Sequence, residues 1–181
     1  NSSGSTAGKD LCIDNAGNIY VTGYYRNSSN VTQILIVKFD SSGNFVWQKL
    51  FPDIGSIYTI NGKKILSDNE GNIIILGDVE NDITGFDITT LKYDNQGNLL
   101  WNRAYTENFG AGDYSVDLCL DQENNIYSLG RTFSNFNTGV DYITIKYKPS
   151  GETSWFRKYN GFENGTEYPT SIAVDKNKNV F

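Results

Sequence analysis

Four carboxylates, Asp87, Asp113, Asp141 and Glu167, are the side chains whose type could carry out catalysis, because glycoside hydrolysis needs only two acids flanking one bond. Asp87 and Asp141 follow the same step, in Gly85-Phe86-Asp87 and Gly139-Val140-Asp141, and Gln33 holds the matching place earlier in the chain. Such recurrence points to structure, since an active site breaks the symmetry of a repeat. The 181 residues contain no His, which removes Ser/His and Cys/His pairs and any His-held zinc or copper. The reading is therefore non-catalytic, with no catalytic residue and no cofactor assigned; the alternatives are a lyase or glycoside hydrolase working through carboxylates, and a purely structural subunit of a larger assembly.

A second acidic set consists of Asp14, Asp68, Asp121 and Asp175, each opening a short stretch that Asn18, Asn72, Asn125 and Asn179 complete. Asp14, Asp68 and Asp121 are the candidates for calcium, but the Asp-x-Asp-x-Asp array and the closing bidentate Glu of a calcium loop are missing. Turn capping is the plainer reading: Asp accepts local backbone N–H groups, and Gly or Asn supplies the positive φ of a tight turn. The 22 Asn and 18 Gly of the chain suit that role.

What must position these groups is a repeat. One signature, Asp14-Asn-Ala-Gly17-Asn18-Ile-Tyr-Val-Thr-Gly23, returns from Asp68, from Asp121 and from Asp175, at spacings of 54, 53 and 54. A second, Lys38-Phe39-Asp40-Ser-Ser-Gly43-Asn44-Phe-Val-Trp47, returns from Lys92 and from Lys146. Its three Trp, at 47, 101 and 155, are followed four residues later by Phe51, Tyr105 or Tyr159. Trp on the last strand of every unit reads as packing between units.

Each unit reads as four short strands, clearest in the third: Tyr114 to Leu120, Ile126 to Gly130, Tyr142 to Tyr147 and Ser154 to Tyr159. Alternation in Tyr142-Ile143-Thr144-Ile145-Lys146-Tyr147 is that of a half-buried strand. Four antiparallel strands every 40 to 55 residues is the arithmetic of a β-propeller blade, so the fold class is all-β, with no helix. The blades run over 7–53, 54–107 and 108–161, with 162–181 opening a fourth.

These residues resemble the bacterial SBBP-type β-propeller repeat, over essentially the whole chain from about residue 7. Three blades and part of a fourth leave an incomplete ring, since propellers close with four to eight blades. The expectation is a fragment, with the remaining blades supplied by the same polypeptide or by another copy. The resemblance and the Asn/Gly/Tyr-rich, Met-free composition imply a secreted or cell-surface protein.

Composition narrows the partners. A net charge of −6 with no Lys/Arg cluster argues against nucleic acid. No apolar run exceeds the length of Ile73-Ile74-Ile75-Leu76, which falls far short of the roughly 18 residues that span a membrane. Cys12 and Cys119 occupy one repeat position, which separates them by more than a disulfide spans and predicts buried free thiols. Asn-x-Ser/Thr sequons begin at Asn1, Asn27, Asn30 and Asn164, and glycosylation there is only a possibility.

The regular turns fall on one face, which leaves the other to the variable loops: Tyr24 to Thr32, Asp78 to Phe86, Arg131 to Val140, and the segments between blades. Their aromatic and cationic residues, Tyr24, Tyr25, Arg26, Phe109, Arg131, Phe133, Phe136 and Phe162, are the candidate ligand-binding set. Aromatic faces beside amides and carboxylates suit a protein or a glycan.

Overall fold

The computed structural model describes residues 4–52, 60–107, 112–135, 139–162 and 165–181. These form twelve antiparallel strands in three four-stranded sheets, with no helix among the elements. The first sheet holds β1 (Ser5–Ile13), β2 (Ile19–Arg26), β3 (Thr32–Phe39) and β4 (Phe45–Phe51), in that order. The second holds β5 (Ile60–Ser67), β6 (Ile73–Asn81), β7 (Gly85–Tyr93) and β8 (Leu99–Tyr105). The third holds β9 (Tyr114–Leu120), β10 (Ile126–Asn135), β11 (Gly139–Tyr147) and β12 (Thr153–Tyr159). Three sheets are complete, no ring is closed, and the arrangement is consistent with blades.

Each sheet packs through its first strand onto the sheet before it: β5 lies against β1, β2 and β3, and β9 against β5, β6 and β7. The middle sheet is thus covered on both faces, which is why Ile73, Ile74, Ile75 and Leu76 are all buried although consecutive side chains of a strand point opposite ways. In β11, with the third sheet less covered, burial alternates residue by residue from Asp141 to Tyr147. The recurring glycine of the second strand has a steric cause. A side chain at Gly23 would strike the Ala7 carbonyl, and one at Gly77 the Asn61 carbonyl, where the neighbouring first strand bulges toward it.

Polar contacts repeat across the sheet boundaries at the same period. The Asp10 carboxylate accepts from the Ile65 backbone N–H at 3.0 Å, and Asp117 accepts from that of Ile172 at the same distance. Lys38 Nζ and Trp47 Nε1 both donate to the Asn95 carbonyl, at 2.9 and 3.3 Å. One sheet later, Lys92 Nζ and Trp101 Nε1 both donate to the Pro149 carbonyl, at 3.4 and 3.0 Å. Trp47 and Trp101 are therefore latches between sheets as well as packing surface. A fourth hairpin begins beyond β12: Ala173 and Phe181 exchange both backbone hydrogen bonds, and Ile172, Val174 and Val180 pack with Tyr127 and Leu129.

The connections on the variable face are shorter than the sequence suggested. β2 runs through Tyr24, Tyr25 and Arg26, and β10 through Arg131 and Phe133, so these residues stand on paired strands rather than in loops. Polar side chains there face outward while the backbone continues the ladder, and hydrophilicity alone misreads that as a loop. The link 27–31 is itself a turn of the repeat's type: the Asn27 side-chain oxygen accepts from Ser29 N and Val31 N, and Asn30 takes φ +63°.

Candidate functional site

The Asp-headed turns are internally saturated. Asp14 Oδ1 accepts from Ala16 N and Asn18 N at 2.9 Å, and Oδ2 from Asn18 Nδ2 at 2.8 Å and Tyr20 OH at 3.1 Å. Asp121 repeats the set with Glu123, Asn125 and Tyr127. In Asp68 the place of the Tyr hydroxyl is taken by Lys92 Nζ at 2.8 Å, a buried ion pair standing where Ile74 replaces Tyr. Burial alone would raise these acids, but the hydrogen bonds from their Asn partners and from Tyr20, Lys92 or Tyr127 outweigh it and hold all three below the usual carboxylate range. Capping accounts for every oxygen of the three calcium candidates. Among the described residues no group of three or more His, Cys, Asp or Glu is arranged to hold a metal.

The four other carboxylates fall in two equivalent pairs at sheet boundaries. Asp113 N donates to the Phe86 carbonyl beside Asp87, and Glu167 N donates to the Val140 carbonyl beside Asp141. Asp113 is deeply buried. Burial raises its acid, the charges of Asp87 and Glu107 add to that, and the hydrogen bond from the Glu107 N–H offsets it only in part. Glu107 itself takes a hydrogen bond from the Tyr105 hydroxyl and an ion pair with Lys158 at 2.6 Å. Cys12 and Cys119 are free and only partly buried, and burial beside Asp10 and Asp14 pushes the Cys12 thiol up to about 12. Burial beside Asp117 and Asp121 pushes Cys119 up to about 11, so neither is primed as a nucleophile.

The remaining site lies at the opposite end of the sheets, in the residue after each second-strand glycine: Tyr24, Asp78 or Arg131. Asp78 pins the next sheet, accepting from Ser115 N at 2.7 Å and Ser115 Oγ at 2.5 Å, and it pairs with Lys63 at 2.5 Å. Tyr24 instead lies under two cations, Lys9 and Arg26, each 5.8 Å from its ring. Arg131 faces Tyr114 at 5.0 Å and Tyr168 at 5.9 Å. The residue matching Ser115 in the next unit is Pro169, which has no N–H, and among the described residues Arg131 makes no ion pair.

Arg131 and Phe133 line one groove of about 180 Å³ together with Gly112, Tyr114 and Val140. Phe86 backs the Tyr114 ring at 5.2 Å. Of the sequence candidates, then, the structure brings together Arg131 and Phe133. Tyr24, Tyr25 and Arg26 sit two sheets away, and Phe162 is 94% exposed and outside the groove. Phe109 and Phe136 lie outside the described residues. Tyr114 and Tyr168 were missed, although a signal existed: an acid followed by Tyr recurs at Asp113-Tyr114 and Glu167-Tyr168.

No family model and no curated protein matches this chain. Among solved structures, the chain is similar to a protein of unknown function from Bacteroides caccae, with a TM-score of 0.53 at 14% sequence identity. The similarity covers 97% of this chain and 52% of that one, so the chain spans about half the length of its structural neighbour, and the likeness is one of fold.

Proposed function

We propose that the chain is a segment of an SBBP-type β-propeller, three blades and the start of a fourth, that serves a secreted or cell-surface bacterial protein as a non-catalytic binding or scaffold module. It recognises a protein or a glycan at the end of the blades that carries no Asp-headed turns. The observation that carries the reading is the groove of Tyr114, Arg131 and Phe133: aromatic side chains and a cation with no ion pair among the described residues, on a strand paired on both sides, where the repeat departs from its own pattern. A glycan array and a pull-down with wild-type protein and Phe133→Ala test it. Signal lost in the variant at unchanged unfolding midpoint supports the reading; retained signal overturns it.

The propeller part is supported by one repeated slot. Ile65, Leu118 and Ile172 are 0, 5 and 8% exposed because a preceding sheet covers them, whereas Leu11 in the first sheet is 59% exposed. A further blade covers Leu11 in the closed ring, from the same polypeptide or from another copy. The intact mass of the native polypeptide decides between these sources: about twice the 20.2 kDa of this chain fits one polypeptide, and a monodisperse dimer of 20 kDa chains fits another copy.

A further inference from the structure

Within the binding role proposed above, on which it rests, the geometry points to a specific ligand chemistry: the groove takes the carboxylate of a uronic-acid residue of a glycan, with Arg131 as its anion receptor. Asp78, the counterpart of Arg131 one sheet earlier, is fully committed to Ser115 and Lys63. The change from Asp to Arg reverses the charge of the slot, and Pro169 removes the N–H that the Asp would have held. Nothing in the packing of the sheets requires a guanidinium there, since Tyr24 fills the same slot in the first sheet.

The chemistry of the lining selects the ligand. A guanidinium 5.0 Å from one ring and 5.9 Å from another is held by cation–π attraction, which leaves its planar N–H fork available for a carboxylate. Lys63 contributes no free charge, since Asp78 neutralises it. The protein carries a net charge of −6, so an Arg with no ion pair among the described residues is the local exception that an anion would find. Phe133 lines the groove beside it and gives the C–H side of a sugar ring an apolar contact, while Tyr114, backed by Phe86 and faced by Arg131, holds the guanidinium in place. The cavity, about 180 Å³, is smaller than the roughly 300–1,000 Å³ of a site for a drug-sized ligand, so it admits one ring rather than a peptide segment. β10 is paired on both sides at Arg131, which leaves a peptide no backbone edge to add to there.

The test is calorimetric titration of the full chain with an oligomer of galacturonic acid, its methyl ester, a neutral galactose oligomer and an acidic Asp/Glu peptide, at low and high salt. The uronate oligomer is expected to bind, and the ester and neutral sugar to bind about tenfold or more weakly. Arg131→Gln is expected to lose the same factor while Arg131→Lys retains part of it, with unfolding midpoints showing that both variants fold. Equal binding of ester and acid, or an Arg131→Gln protein that binds the uronate undiminished, overturns the inference while leaving the binding role standing. Binding of the peptide in place of the uronate overturns the sugar assignment. Absence of any binding in these titrations and on the glycan array and pull-down overturns both.

Discussion

At one end of the sheets Asp14, Asp68 and Asp121 each direct both carboxylate oxygens into their own turn; at the other, the equivalent residues Tyr24, Asp78 and Arg131 do three different things. The first end repeats because it solves a local problem, the closing of a hairpin, whose solution does not depend on the neighbours. The second is free to vary because its backbone is already held by the ladder, and only its side chains are exposed to selection by a partner. The difference places structure at the turns and, on the function proposed above, recognition at the slot, and it can be broken experimentally.

The largest effect is expected where the turn end departs from its own rule. Lys92 replaces a Tyr hydroxyl with a buried ammonium against Asp68, and Lys92→Met leaves that carboxylate buried and uncompensated. The expected loss is about 3–5 kcal/mol by urea denaturation, with a substantial part restored in Lys92→Met/Asp68→Asn. A single variant within 1 kcal/mol of wild type would show that the Asn72 and backbone donors suffice without the ion pair.

A smaller and opposite pair of effects separates a turn acid from a boundary acid. Asp121 is held below its ordinary pKa in the folded state, so its contribution is complete above the unfolded value near 3.9 and disappears as pH falls through the folded one. Asp113 is raised, so the folded state binds its proton more readily, and stability drains away as pH climbs from the unfolded value through the folded one. Asp121→Asn should cost about 1–2 kcal/mol at neutral pH and progressively less in acid. Asp113→Asn should gain on wild type as pH rises above the unfolded value near 3.9. Unfolding midpoints that move the same way for both variants would merge the two classes of acid. An Asp113 whose neutralisation abolished a turnover would instead favour the carboxylate enzyme.

These residues also show how far the sequence could be read. The turns, the Trp positions and the four-strand unit were legible because hairpin chemistry is local and leaves residue types at fixed offsets. Lys92 was not legible as an ion pair, because its partner Asp68 is reached across the sheet and nothing local marks a Lys as buried. Nor was the groove. Tyr114 and Tyr168 flank Arg131 only once strand pairing and sheet stacking have brought residues 17 and 37 positions away beside it. The length of β2 and β10 was missed because a polar outward face looks like a loop when only one side of the strand is considered.

Next in size are the latches. Trp101→Phe removes the indole N–H, one of the two donors to the Pro149 carbonyl, and should cost about 0.5–1.5 kcal/mol. Trp155 occupies the same place in the third sheet, but its Nε1 has no such carbonyl among the described residues, so Trp155→Phe should cost measurably less in this chain. In a longer polypeptide that carried the next blade, the two costs should converge. Equal losses in the 181-residue chain would mean that the indole acts by packing alone, and the latch would drop out of the comparison.

The smallest effect tests whether the slot end borrows turn chemistry from the other. Asn30 sits at φ +63° in a turn that Asn27 heads as Asp14 heads its own, while the corresponding position of the Asp turns is Gly17, Gly43, Gly71 or Gly97 in four cases. Asn tolerates the left-handed region better than other side chains, so Asn30→Gly should gain no more than a few tenths of a kcal/mol, the relief of strain being offset by the entropy of the unfolded glycine. Asn30→Val, which the left-handed region excludes, should lose about 1–2 kcal/mol. If the Val variant were as stable as wild type, the 27–31 link would not hold its turn in solution. The resemblance between the two ends would then be an accident of composition rather than a second use of the same device.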